Sequence, residues 1–208
     1  MFLFLDTETT GLPDFRKPAD DPGQPRIASI AMLLCEPVDC RIVAVHHQLV
    51  RPAGWTVSAE AEAVHGLSTA MLQRYGADLR FALGWFTLNT EATRPTIVGH
   101  SIAFDLKMLR GELRRAGMPD LYDAAPTYCT MHKSRPLLRD LKKTPKLTEA
   151  LRILCGHTLA DAHDVLADTM GARQLFIELR RRGAGPAAAA EAPAPAPAAA
   201  PAGTWDAL

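Results

Sequence analysis

Cysteine is scarce: four residues in 208, at positions 35, 40, 129 and 155, with no C-x-x-C pair and no zinc-like spacing. In a chain this long, that pattern excludes a disulfide framework and reads as the reduced, packed thiols of a cytosolic protein. Net charge is also missing. Lys+Arg and Asp+Glu both number 23, which argues against coating nucleic acid through bulk electrostatics and leaves any such contact to a local patch. No apolar run approaches the ~18 residues that a membrane helix requires. The apolar start, Met1 to Leu5, has no basic segment before it and meets Asp6 at once, so it does not read as a secretory signal. The expectation is a soluble, cytoplasmic chain with no membrane partner.

What is present divides into a body and a tail. Residues 183–208 hold 13 Ala and 5 Pro, with Glu191 and Asp206 as their only charges. Pro at 193, 195, 197 and 201 interrupts any helix and Ala buries little area, so this stretch reads as a disordered tail. Trp205 and Leu208 at its end leave a short docking peptide as the alternative. The remaining 182 residues carry 23 basic and 21 acidic side chains and are long enough to bury a core without staples.

Residues 2–5 are wholly apolar and stop at a carboxylate, the pattern of a central strand covered on both faces. Residues 13–26, rich in Pro and Asp, are expected to be loop. Residues 27–35 and 42–50 read as strands joined by a hairpin loop. From Ser58 the pattern turns helical, with Ser58 as cap and Glu60 and Glu62 in the first turn. A second helix is expected at 79–89 and a buried strand at 96–99. Apolar residues at 102, 106, 109 and 113 predict an amphipathic helix over 102–116, closed by Gly117. A short strand at 127–131 and helices at 147–154 and 164–182 complete an α/β body with a mixed sheet.

Asp6 and Glu8 stand two apart at the end of the predicted first strand, so both carboxylates point to one face. Acids a few ångströms apart resist ionising together, and a divalent cation at the sheet edge would remove that cost. Thr7, Thr9, Thr10 and Gly11 add small hydroxyls and room for close backbone approach. Two solvated acids at a strand end are the plainer alternative for this segment alone. Asp105 stands at the start of a helix, where the dipole favours an acid in any case. His163 and Asp168 are five apart, which is about 500° on an ideal helix and roughly 140° off one face. His163 is therefore expected on the loop leading into the helix, with Asp168 one turn inside.

In order, LDTETTGL at 5–12, VHGL at 64–67, GHSIAFD at 99–105 and His163-x4-Asp168 resemble the motifs of the DnaQ-like (DEDDh) 3′–5′ exonucleases. That family includes the proofreading subunits of bacterial replicative polymerases. The resemblance spans residues 2 to about 180, and D-x-E-T-T-G-L is a fairly specific motif. It implies a ribonuclease H-like fold, a five-stranded mixed sheet with one antiparallel strand and flanking helices. Residues 1–182 would form the exonuclease domain.

The resemblance further implies that Asp6, Glu8, Asp105 and Asp168 hold two Mg²⁺ or Mn²⁺ ions and that His163 is the general base. Such hard cations take oxygen ligands, and a pair ~3.5–4 Å apart suits in-line displacement by water. An imidazole, titrating at about 6.5 when unperturbed, suits the base. In a sister subgroup a Tyr four residues before the last Asp replaces the His; here that slot is Asp164. By the same resemblance Thr7, Thr9 and Leu12 line the pocket for the 3′-terminal nucleotide, with His65, His100, Ser101 and Phe104 as further candidates. Phe104 reads equally as a core residue.

There are departures and additions. The family usually has Asn where Ser101 stands. Asp161 and Asp164 crowd the His163 motif, and Asp164 falls on the helical face of Asp168, where it could compete as a ligand. His157 has no acid five residues after it. Residues 132–146 carry six Lys/Arg against one acid, Asp140, and read as a solvated loop or as a phosphate-tracking patch. Arg180–Arg182 suit the end of a helix.

The leading expectation is a metal-dependent exonuclease that takes nucleotides from single-stranded or frayed DNA 3′ ends and releases nucleoside 5′-monophosphates. Its setting would be replication proofreading, with a DNA polymerase subunit reached through the tail. A 3′–5′ exoribonuclease acting on short RNA or RNA tails is the second expectation. An inactive nucleic-acid or polymerase-binding module is the third.

Overall fold

The first strand, β1 (Phe2–Thr9), runs through the middle of the molecule, and its Leu3, Phe4 and Leu5 have no solvent exposure. A computed structural model describes residues 1–120, 125–159 and 163–186. β2 (Ile27–Cys35) pairs antiparallel with β1 on one side and with β3 (Ile42–Leu49) on the other. On the far side of β1, β4 (Thr96–Gly99) and then β5 (Thr127–Cys129) add in parallel. The order is β3-β2-β1-β4-β5, so β2 is the one antiparallel strand of a five-stranded mixed sheet.

Alternation along the strands divides the core in two. Leu3 and Leu5 face α3 (Leu79–Thr93) and α4 (Ala103–Arg115), burying Leu83, Phe86, Leu106 and Leu109. Phe2 and Phe4 face α7 (Val165–Arg181) and bury Leu175, Phe176 and Leu179. The Phe176 ring meets Phe2, Phe4 and Tyr128 edge-on, with centroids 4.8, 5.3 and 4.9 Å away. Such pairs contribute about 0.5–1.5 kcal/mol each beyond area burial. They fix α7, and with it the acid near its start, against the sheet.

Local chemistry explains where elements differ from the sequence pattern. The helical region after Ser58 is two helices, α1 (Ala59–His65) and α2 (Thr69–Tyr75), because Ser68 caps a second start by accepting from Met71 N–H. α3 runs to Thr93 rather than 89. Thr90 and Thr93 turn their hydroxyls back onto the Phe86 and Asn89 carbonyls, so neither competes with the helix backbone. α4 closes at Gly117 (φ 65°), whose N–H donates to the Arg114 carbonyl. The strand expected over 127–131 stops at Cys129 and passes into α5 (Thr130–Ser134), with the Thr130 hydroxyl turned to the Gly99 carbonyl. α6 (Leu147–Ala150) continues as a π-helical turn over Leu151–Cys155.

The loop over 13–26 is held by one buried side chain. Gln24 accepts from Asp14 N–H and donates to the Asp14 and Pro18 carbonyls. After α7, Ala184 is still tied in, its carbonyl accepting from the Tyr128 hydroxyl at 2.5 Å. Asp161 and the Ala/Pro-rich stretch with Trp205 and Leu208 lie outside the described residues. Among the described residues no helix is long and apolar enough to cross a membrane.

Candidate active site

The face of β1 that buries Phe2 and Phe4 continues, by alternation, through Asp6 and Glu8. α7 carries a matching stripe: Asp168, Ala172, Leu175 and Leu179, at spacings of four, three and four. The last three are buried against the sheet, which carries Asp168, one turn inside the helix, to the sheet's end beside Glu8. Ligand atoms of Glu8, His163 and Asp168 all lie within 4.8 Å of one another. Asp105 arrives from the first turn of α4, 2% exposed. Its Oδ1 accepts from both the Thr7 N–H (3.0 Å) and the Thr7 hydroxyl (2.8 Å).

Two of the four described non-glycine residues with positive φ belong to this site: Ser101 (70°) and His163 (72°). A side chain in that region costs about 1–2 kcal/mol. His163 lies on the turn before α7, as its spacing from Asp168 predicts, and its N–H donates to Asp168 Oδ2 at 3.2 Å. Ser101 turns the chain between β4 and α4 and accepts Phe104 N–H on its carbonyl. Asn tolerates that backbone better than Ser, a physical reason for an Asn preference there. Gly99 permits the turn, since a Cβ on it would come within 2.7 Å of Ile102 Cδ1 and 2.9 Å of the Leu5 carbonyl.

The carboxylates burden one another. Burial, and then Asp105, Asp168 and Glu8, hold the Asp6 carboxyl well above its usual range. Burial, Asp168 and Asp105 push Glu8 up to about 8. Asp105 rises to about 7 through burial, against the lowering effect of the Thr7 hydrogen bonds. Asp168 is raised by burial and partly relieved by His163. No lysine or arginine acts on Asp6, Glu8 or Asp168 among the described residues. Four oxygen-donor side chains that resist ionising together fit a divalent ion.

Other candidates divide by what their polar atoms already do. The Thr7 hydroxyl is spent on Asp105, so Thr7 positions a carboxylate. The Thr9 hydroxyl donates to the Gly11 carbonyl (2.7 Å). His65 Nδ1 accepts from Leu67 N–H (3.0 Å), which leaves Nε2 to donate to the Thr9 carbonyl (3.2 Å). Burial lowers its proton affinity, so His65 pins the end of β1 as a neutral ring.

His100 has both ring nitrogens engaged within the protein. Its Nδ1 meets the Thr130 hydroxyl (3.0 Å) and its Nε2 the Pro145 carbonyl (3.1 Å), and burial pushes it down to about 4. It ties the basic 132–146 segment to the β4–α4 turn. Asp164 is the N-cap of α7, its Oδ1 accepting from Leu166 and Ala167 N–H, which explains an acid there without ligation. Leu12 is 88% exposed, and Phe104 is half-buried against the α3/α4 core.

The exonuclease family model, RNase T, matches residues 3–176. The chain belongs to this exonuclease family. No curated protein matches its sequence significantly. Among solved structures, this exonuclease is similar to E. coli exonuclease I in complex with a dT13 oligonucleotide, at 17% identity and TM-score 0.70 over 87% of this chain and 41% of that one. The zinc-bound form of the E. coli exonuclease I–ssDNA complex gives 17% identity and TM-score 0.71 over 87% and 40%. Exonuclease I from Methylocaldum szegediense gives 19% and 0.68 over 87% and 40%. The chain spans about two fifths of the length of these structures. Their likeness shows the ribonuclease H-like fold.

Proposed function

We propose that this exonuclease hydrolyses DNA from 3′ ends and releases nucleoside 5′-monophosphates. Asp6, Glu8, Asp105 and Asp168 would hold two divalent cations, Mg²⁺ or Mn²⁺, and His163 would be the general base. The observation that carries this reading is the convergence of four carboxylates with raised proton affinity, next to an exposed imidazole. When bound, the ions would supply Lewis-acid polarisation of the scissile phosphate and an acidified water. His163 takes the proton from the attacking water, and the leaving 3′ oxygen gains one from solvent. Thr7 keeps Asp105 aimed, and the His163 N–H keeps Asp168 aimed.

Single-stranded or frayed ends are the substrate we assign. Leu12, exposed just past the acids, suits apolar contact with a terminal base, and the related E. coli enzyme has been seen with oligonucleotides. All six Lys/Arg of 132–146 are exposed, and His100 anchors that segment beside the site, which suits a phosphate path. On composition alone we assign 187–208, the part of the tail beyond the Ala184 contact with Tyr128, as a tether to a DNA polymerase subunit, with proofreading as the setting.

Digestion of 5′-labelled DNA and RNA oligonucleotides in Mg²⁺, Mn²⁺ or EDTA tests this. The expected result is a ladder shortening from the 3′ end of DNA in either metal and nothing in chelator. Shortening from the 5′ end, or digestion unchanged in Asp6→Ala, contradicts it. Faster loss of RNA moves the substrate to RNA.

A further inference from the structure

A cleft of about 320 Å³ opens on the α3/α4 side of the sheet, lined by Arg26, Arg51, Arg80, Arg115 and Trp55 together with two acids. It contains none of the catalytic candidates. Its acids are already committed. Glu112 takes a bidentate pair from Arg26 (2.6 and 2.8 Å) and lies 3.3 Å from Arg115, while Asp78 Oδ1 caps α3 through Arg80 N–H at 2.8 Å.

The cleft keeps a net positive charge. The Arg51 guanidinium has no hydrogen-bond or ion-pair partner among the described residues, and the Arg80 guanidinium donates there only to the Ala116 carbonyl (3.2 Å). Trp55 is half-buried against the core, with Arg26 5.9 Å from its ring centre, so its indole is held as a wall. Arginine forks match phosphate oxygens, and an indole face stacks a base. The volume lies at the low end of the range for small-ligand sites, about 300–1,000 Å³.

The cleft also adjoins the acidic centre along the chain. Arg26 and Thr10 exchange two hydrogen bonds of 2.9 Å, and Thr10 is two residues past Glu8. We propose that this cleft binds one nucleotide unit, its phosphate on Arg51 and Arg80 and its base against Trp55. The choice of a nucleotide among flat anions rests on the exonuclease reading. The unit is either a released mononucleotide or an internal residue of the strand being digested.

The test is calorimetric titration of the full chain with dTMP in EDTA, where the acidic centre has no cation to hold a phosphate. The expected result is saturable one-to-one binding, about tenfold weaker in Arg51→Ala/Arg80→Ala, and a loss of similar size when inorganic phosphate replaces dTMP. Both arginines are exposed, so the double variant keeps the fold. Quenching of tryptophan fluorescence by dTMP should vanish in Trp55→Phe. Absent binding, or equal binding by wild type and double variant, overturns the proposal.

Steady-state digestion separates the two sources. If the cleft holds an internal residue, the double variant raises KM on long oligonucleotides about tenfold and leaves dinucleotides unaffected. If it holds free product, added dTMP changes kcat in the wild type and not in the variant. Binding in EDTA needs no turnover, so failure of the catalytic reading leaves this test intact.

Discussion

Neutralising one acid of the proposed centre should stabilise the metal-free protein while destroying its activity. Glu8→Gln keeps the side chain's shape and removes the charge. The Glu8 carboxyl is pushed from 4.5 to about 8, so the folded state holds its proton more tightly than the unfolded chain does. The wild type is therefore unburdened below about pH 4.5 and loses stability as pH rises through about 8. At about 1.4 kcal/mol per pH unit the full cost would be ~5 kcal/mol. Glu8 is partly open to solvent, so screening leaves ~2 kcal/mol, or about 4–8 °C in Tm for a domain of this size.

Thermal unfolding followed by circular dichroism in EDTA should show Glu8→Gln above wild type by that margin near pH 8, the gap closing near pH 4.5. Excess Mn²⁺ should reverse the order, because only the wild type has the full ligand set. A variant less stable than wild type in EDTA near pH 8, or a gap that ignores pH, would refute the reasoning.

Thr7→Val deletes one of the two hydrogen bonds to Asp105 Oδ1, worth ~1.5–3 kcal/mol for a charged acceptor; kcat/KM should fall about 10–100-fold and Thr7→Ser should recover most of it. The acid limb of the Thr7→Val pH–rate profile should also move upward, because Asp105 loses a bond that holds its proton affinity down. His163→Gln should cut kcat about 10²–10⁴-fold with Mn²⁺ affinity nearly unchanged, since the backbone N–H to Asp168 survives. Asp164→Ala should cost ~1 kcal/mol of stability through loss of the α7 cap, with Asp164→Ser restoring it in thermal melts. Deleting 187–208 should leave digestion of free oligonucleotides intact; a large loss would make that segment part of the working domain.

Much of the scaffold is written in short-range pattern. An apolar run that stops at Asp6 reads as the central strand because both of its faces are buried, and alternation then sends Asp6 and Glu8 the same way. The five-residue spacing places His163 on a turn and Asp168 inside α7, because both residues cannot share one helical face. What escapes the pattern is long-range pairing. Thr7 meets Asp105 across 98 residues, His65 meets Thr9 across 56 and His100 meets Pro145 across 45. In each case a side chain that reads as a pocket candidate has its polar atoms committed to backbone or to a carboxylate.

The Gln24 staple of the 13–26 loop and the Arg26–Glu112 pair belong to the same class. The end of β5 was illegible for another reason. Cys129 and Thr130 suit a strand by propensity, but α5 begins at Thr130, whose hydroxyl meets the Gly99 carbonyl on the neighbouring strand.

The most direct measurement is a Mn²⁺ titration followed by electron paramagnetic resonance, counting bound ions per chain at about pH 8, above the raised carboxyl value of Asp105 and level with that of Glu8. Two ions bound by wild type, and weakened binding in Asp6→Ala and Asp168→Ala, is the predicted result. No saturable Mn²⁺ binding, or equal binding by wild type and both variants, would contradict it.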